Sequence, residues 1–321
     1  MPVATARAHP NIALIKYWGK RDRALNLPSV PSLSVTLDGF HTTTTVSWGA
    51  LEDRIEIDGA VVQGKEADRV RQVLDLVDPT RPPVQVQSAS NFPAAAGLAS
   101  SASAFAALVL AASRAAGRSA SAQELSVLAR RGSGSACRSL WGGWVTWARG
   151  ERIDGSDSHG IPLAAADHWD LRVVVAVVSE GKKAVGSTEG MVRTEATSPL
   201  FPAFVAQAED RLQRARQAVL DRDLPALGEQ MERSTWEMHA TMISAWPPVR
   251  YWQPGSLRVL QAVDGLRAAG TPAWCTMDAG PNVKVLCEAR DAAAVQEALA
   301  PHVARVHVLR IGGTPAVWDG R

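Results

Sequence analysis

The alternation of apolar and polar positions divides the chain into short strand-like runs and longer stretches of helical spacing. Val3 to His9 predicts a short strand. Leu33–Leu37, Thr42–Trp48 and Arg54–Asp58 predict three more, and the turn signals between them point to antiparallel pairing. Lys65 to Val77 sets Val70, Val73, Leu74 and Val77 on one face, the spacing of an amphipathic helix. Val84–Gln87 reads as a strand leading into Asn91 to Gly117, NFPAAAGLASSASAFAALVLAASRAAG, a loop of small residues that becomes an Ala/Leu/Val helix. Ala120 to Arg131 predicts a second helix, capped by Ser121 with Glu124 completing a capping box. Trp144–Ala148 reads as a strand, and Leu171–Val178 as a continuous apolar run buried on both faces. Between them, Gly150 to Asp167 has the Gly, Ser, Asp and His content of a loop.

From Ser198 helical spacing dominates, over Pro199–Asp221, Leu224–Ser244 and Gly255–Ala269. Pro247-Pro248 stop the second of these and Gly270 caps the third. Ala273–Asp278 and Val283–Cys287 read as strands flanking a tight turn, Asp291–Leu299 as a helix and Arg305–Ile311 as the final strand. That order predicts a small α+β layer packed beside the first domain.

Composition narrows the class. A chain of 321 residues fits two domains or one large α/β unit. A net charge of +2 exerts no general pull toward nucleic acid or membrane. The three cysteines, Cys137, Cys275 and Cys287, are widely spaced and form no CxxC pattern. They predict free thiols in a reducing compartment, with neither a disulfide framework nor a zinc site. His159 and His168 read as ordinary surface or core histidines. Without a signal-like or bilayer-length apolar run, the expectation is a cytoplasmic protein.

Four stretches carry candidate chemistry. Gly97, Leu98, Ala99, Ser100, Ser101 and Ser103 form a Gly/Ala/Ser loop at a helix start, where free amides and the helix dipole favour a phosphate. Serine hydroxyls there add donors, or a ligand to a metal riding on that phosphate; the plainer alternative is a core helix with a serine cap. Lys16, Lys20 and Arg21, interleaved with Tyr17 and Trp18 on an irregular loop, suit an acidic small molecule or a solvated surface. Gly132 to Gly143, GSGSACRSLWGG, offers a polar pocket with Arg138 able to grip a carboxylate or phosphate. Asp278 closes a strand before Ala-Gly-Pro-Asn, where it can face a cleft or cap its own turn.

In order and wording these stretches resemble the mevalonate diphosphate decarboxylases of the GHMP small-molecule kinase superfamily. The matches are NIALIKYWGKRD, NFPAAAGLASSAS, RRGSGSACRSLWGG, STEGM, HATM with the following Pro-Pro, and MDAGPN, running from about Pro10 to Val285. The resemblance implies an α+β, two-domain GHMP kinase fold. Residues 1–180 would form a ribosomal-protein-like α/β domain with the phosphate loop, and residues 181–321 a ferredoxin-like α+β domain. It implies ATP- and Mg²⁺-dependent decarboxylation of mevalonate 5-diphosphate to isopentenyl diphosphate through 3-phosphorylation, in a cytoplasmic homodimer of the isoprenoid pathway. Asp278, Lys16 and Arg138 would be catalytic. Ala13, Tyr17, Lys20, Ser133, Ser135, Arg138, Ser187, Thr188 and Met191 would meet the substrate. Asn91, Gly97, Leu98, Ala99, Ser100, Ser101 and Ser103 would meet ATP, with Ser101 also on the metal.

The chain departs from the family pattern at PSVPSLS, where Val30 and Pro31 replace the usual Asn and Ser, and at Thr188, where some relatives carry Arg. A decarboxylase of mevalonate 5-phosphate giving isopentenyl phosphate, a kinase that stops at 3-phosphorylation, and a non-catalytic binding protein on the same fold remain as alternatives. The presence of both Asp278 and Lys16 argues against the kinase.

Overall fold

The computed structural model describes residues 2–92, 100–181 and 183–320. Its first sheet runs, edge to edge, through Ala316–Asp319, Val3–Ala8, Thr42–Trp48, Val84–Ser90, Arg54–Ile57 and Ala60–Val61. Ala4, Ala6 and Ala8 alternate inward along one strand and leave room for the Ala-rich helix Ser100–Ala115 to lie close against the sheet. That helix is buried around most of its circumference, because Lys65–Val77 and Ala122–Gly132 pack beside it. The predicted capping box on the last of these is present, with Ser121 and Glu124 satisfying each other's backbone donors.

Beneath lies a second sheet ordered Gly160–Ala164, Trp144–Trp147, Ser32–Thr36 and Asn11–Ile15. The last two strands are buried at every position. A third, antiparallel sheet is ordered Ala273–Met277, Val283–Glu288, Leu171–Val177 and Arg305–Arg310. Along Leu171–Val177 the odd positions face a core shared with the second sheet and with helices Phe201–Asp221 and Leu224–Ile243. Val174 and Ala176 face the opposite core, under helices Pro254–Ala268 and Ala292–Leu299. Burial on both sides is why this strand has no polar alternation.

Several expectations change. The three early strands do not pair in sequence. Ser32–Thr36 joins the second sheet, Thr42–Trp48 pairs with Val3–Ala8 and Val84–Ser90, and Arg54–Ile57 runs parallel to Val84–Ser90 across helix Lys65–Val77. Asn11–Ile15, read as part of an irregular loop, is a strand; its burial on both faces removes the period-two signal. The loop-like Gly150 to Asp167 contains the edge strand Gly160–Ala164. A helix, Ser187–Thr197, precedes Phe201–Asp221. After Arg305–Arg310 one more strand, Ala316–Asp319, returns to the first sheet and pairs with Val3–Ala8. Among the described residues no helix is long and apolar enough to cross a membrane, and Cys137, Cys275 and Cys287 are buried free thiols.

Candidate active site

The buried strand Asn11–Ile15 ends at Lys16, whose backbone N–H donates to Ser234 Oγ at 2.9 Å. Its ammonium donates to Ala13 O at 2.9 Å and to Asp278 Oδ1 at 2.7 Å. Asp278 follows strand Ala273–Met277 in a turn closed by Gly280 N–H on the Asp278 carbonyl at 2.8 Å. The turn is anchored from below, where Asn282 Oδ1 accepts from Val178 and Ser179 N–H at 2.8 and 3.0 Å. Lys284, on the next strand, donates to Asp278 Oδ2 at 3.1 Å. Each oxygen of one carboxylate thus meets a different lysine, and both lysines are almost wholly buried. Burial alone pushes the Asp278 carboxyl up, but Lys16 and Lys284 outweigh it and hold the group well below the usual carboxylate range. Lys16 is pushed down to about 8, chiefly by burial and against the pull of Asp278.

Arg138 ends the short 3₁₀ turn Gly134–Arg138 that follows helix Ala122–Gly132. It is 2 % exposed, and its three hydrogen bonds end on neutral oxygens. Asn11 Oδ1 accepts from Nε and Nη2 at 3.2 and 3.0 Å, and Ser32 Oγ accepts from Nη1 at 2.7 Å. Asn11 is itself fixed, since its amide donates to Ser135 O at 3.0 Å and Ser139 Oγ at 2.8 Å. The guanidinium lies over the Trp147 ring, 5.6 Å from the centroid. A buried guanidinium held only by neutral groups retains donors for an incoming anion.

Tyr17 packs on Trp147 at a centroid distance of 4.6 Å, and its buried hydroxyl has no hydrogen-bond partner among the described residues. Gly134 permits this approach, because a Cβ there would stand 2.7 Å from Tyr17 Oη. Gly19, at φ +95°, turns the chain so that Lys20 N–H donates to Glu195 Oε1 and Lys20 Nζ donates to Asn26 Oδ1 at 2.6 Å. Glu195 belongs to Ser187–Thr197, so the same helix that presents Ser187 and Thr188 in its first turn also ties down the Tyr17–Lys20 loop. Ser101 Oγ and Ser133 Oγ are 3.1 Å apart where the two flanking helices meet.

A cleft of about 1010 Å³ joins these pieces. Lys16, Asp278 and Arg138 line it, as do Ala13, Tyr17, Lys20, Ser133 and Ser135. Ser187, Thr188 and Met191 form part of its wall, and Ser100 and Ser101 another. Asn91 stands away from the lining, bridging His41 N–H and Gly39 O at 2.8 and 2.9 Å. Ser103 is buried, with its hydroxyl on Thr42 Oγ1 at 2.7 Å and Ser100 O at 3.1 Å. Gly97, Leu98 and Ala99 lie outside the described residues. A smaller cavity of about 160 Å³ shares Ser100, Ser101 and Arg69 with the cleft and is walled by Ile55, Ile57, Val70 and Val86.

Sequence reasoning missed Lys284, Asn11 and Ser32, although each stands inside or beside a quoted motif. It also missed four further cations on the cleft lining: Arg131 stands inside and Arg23 directly after a quoted motif, while Arg69 and Lys183 carry no local signal. The four add positive charge to the lining that also includes Thr188, where some relatives carry Arg. Val30, at one departure from the family pattern, is fully buried in a cluster with Trp18, Met191 and Phe204.

Comparison with known proteins agrees along the whole chain. Residues 8–160 match the diphosphomevalonate decarboxylase-like N-terminal domain and residues 173–309 the mevalonate 5-diphosphate decarboxylase C-terminal domain. The chain is 42 % identical to a diphosphomevalonate decarboxylase of Aspergillus fumigatus over 318 residues, covering 91 % of this chain and 78 % of that one. It superposes on a structure described as MDDEF in complex with MVAPP, AMPPCP and magnesium with a TM-score of 0.92 at 40 % identity, over 99 % of each chain. The mevalonate diphosphate decarboxylase of Staphylococcus aureus gives a TM-score of 0.93 at 36 % identity, over 99 % of this chain and 98 % of that one.

Proposed function

Because the chain belongs to the diphosphomevalonate decarboxylase family, we propose that its cleft carries out the ATP-dependent decarboxylation of mevalonate 5-diphosphate, giving isopentenyl diphosphate, ADP, phosphate and CO2. The observation that carries the reading is the meeting of a buried guanidinium held by neutral oxygens and a carboxylate clasped by buried lysines on one cleft. The first suits a substrate carboxylate, and the second suits a tertiary hydroxyl and the carbon that bears it, which becomes electron-poor as phosphate leaves.

Each residue then has a task. Tyr17, Lys20, Ser187 and Thr188 bind the diphosphate; the unpartnered Tyr17 hydroxyl is a donor in waiting. Ser100 and Ser101 face the nucleotide phosphates, and the apolar walls of the smaller cavity suit a nucleobase. Ser101 places a hydroxyl oxygen on the cleft wall, a donor of the class that Mg²⁺ would take together with phosphate oxygens. When bound, Mg²⁺ neutralises charge on the phosphates.

Asp278, kept ionised, accepts the C3 hydroxyl's hydrogen bond and orients the oxygen toward the terminal phosphoryl group. The oxygen bonds to phosphorus as the bond to ADP breaks, and the hydroxyl proton passes to an oxygen of the transferred phosphoryl group. After transfer, the C3–O bond breaks and phosphate departs with the electron pair. Positive charge growing at C3 is met by the Asp278 carboxylate. Arg138 holds the substrate carboxylate so that the C1–C2 bond lies in line, and its electrons form the C2–C3 double bond as CO2 leaves. Asn11 and Ser32 set the guanidinium's angle and so act through it.

A homodimer in the cytoplasm completes the proposal, supported by the family resemblance and by three buried free thiols. The two structural units are proposed to part just before Leu171 rather than after residue 180, a division supported by the pairing of Leu171–Val177 with Val283–Glu288 and Arg305–Arg310. The experiment is a paired assay with ATP and Mg²⁺, offering mevalonate 5-diphosphate and mevalonate 5-phosphate separately. Equal release of ADP, phosphate and CO2 from the diphosphate is expected. Preference for the monophosphate, or ADP without CO2, overturns the proposal.

A further inference from the structure

Asp278 is held from two directions, and the two holders differ in what else they face. Lys16 lines the cleft beside Asp278, and its ammonium shares its protons between that carboxylate and Ala13 O. Lys284 contributes nothing to the cleft lining and is 1 % exposed, on a strand paired on both sides, with Leu171–Val177 and with Ala273–Met277. It reaches Oδ2 from behind, and a second donation goes to Asn282 O at 3.4 Å.

We propose that Lys284 is a positioning residue for the decarboxylation read above: it remains the standing counter-ion of Asp278, so that Lys16 can offer its protons to the anionic groups that enter the cleft. The inference rests on that functional reading. A single lysine could not serve both roles. If Lys16 left Asp278 as a lone, half-buried carboxylate, the carboxylate would gain a drive to take a proton and lose the charge the reaction uses. With Lys284 behind it, Asp278 keeps a cation at bonding distance whichever way Lys16 turns.

The charged surroundings separate this role from simple packing. Lys16 comes from strand Asn11–Ile15, Lys183 from the segment before helix Ser187–Thr197, His239 from helix Leu224–Ile243 and Arg138 from the 3₁₀ turn. All of them act on the Lys16, Asp278 and Lys284 group. His239 is pushed down to about 4, first by burial and then by Lys16, and is neutral over the working range. Lys284 itself lowers the proton affinity of Lys16, as a like charge across the shared carboxylate. Removing it therefore has a sign that packing loss does not have: Lys16 must hold its proton to higher pH.

The test is the pH dependence of kcat and kcat/KM for ATP-dependent CO2 release by Lys284→Met and Lys284→Arg beside the parent enzyme, between about pH 6 and 10. For Lys284→Met, kcat is expected to fall at least ~10-fold with KM for the diphosphate within about threefold, and the alkaline limb to move up by about one unit. Lys284→Arg, which keeps the charge, is expected to return the limb toward the parent position. If Lys284→Met does not fold, Lys284→Gln keeps a donor in the same place, removes only the charge and gives the same test. A profile lowered in parallel at every pH, or one unchanged, overturns the proposal. A parent enzyme that releases no CO2 with ATP would instead remove the functional reading itself, so the two failures are distinct.

Discussion

Arg138→Met separates what the site contributes to binding from what it costs the fold. The parent guanidinium is 2 % exposed and is held by Asn11 Oδ1 and Ser32 Oγ through three hydrogen bonds. Exchanging it for a thioether of similar length removes those bonds, at about 1.5 kcal/mol each for a charged donor, or about 4 to 5 kcal/mol together. It also removes a buried cation whose desolvation costs several kcal/mol after relaxation. The terms nearly cancel, so the substrate-free protein should change by no more than about 2 kcal/mol in urea or thermal unfolding. Function has no such cancellation. Truncating one partner of a buried, hydrogen-bonded charge pair costs about 2–5 kcal/mol, which is about 30- to 5000-fold in kcat/KM. The assay is CO2 release at saturating ATP across a range of diphosphate concentrations, with melting followed on the same preparation. A variant destabilised by more than about 4 kcal/mol that keeps kcat/KM within tenfold of the parent would refute the reasoning, since Arg138 would then be a structural keystone and not an anion site.

Other outcomes follow from the same geometry. Gly134→Ala places a Cβ 2.7 Å from Tyr17 Oη and 3.0 Å from the Trp147 ring; displacing Tyr17 should raise the diphosphate KM about tenfold and cost about 1–3 kcal/mol of stability. Steady-state kinetics beside thermal melts check both, and an unchanged KM would mean that Tyr17 does not touch the substrate. The parent kcat/KM should decline above about pH 8 as Lys16 loses its proton. Because the folded pKa of Lys16 lies below its ordinary 10.5, the unfolded chain holds more protons between those values. Stability from this group therefore rises with pH across that window, and urea midpoints measured at both ends supply the check.

Local structure was legible wherever one face of an element meets water. Lys65–Val77 shows its helix through Val70, Val73, Leu74 and Val77 because the other face is solvated. The Ser121–Glu124 capping box is readable because both partners lie within one turn. Asn11–Ile15 was hidden for the opposite reason: packed on both sides, it has no polar face, and the cations after it resemble a loop. The pairing of Ser32–Thr36 with Trp144–Trp147, and the return of Ala316–Asp319 to Val3–Ala8, join residues far apart in sequence, where turn signals say nothing.

The candidate site divides in the same way. Its chemical types were already present in the chain: cations beside an aromatic loop, a Ser/Arg turn, a carboxylate closing a strand and a Gly/Ser helix start. These depend on residue identity and short spacing, which the linear order preserves. That Lys16 meets Asp278 across 262 residues, that Lys284 takes the carboxylate's other oxygen, and that Asn11 aims Arg138 belong to the tertiary structure alone. So do the depressed proton affinities of Lys16 and Asp278. They arise from removing charged groups from water and from placing them against one another, and neither burial nor distance exists until the sheets and helices have packed.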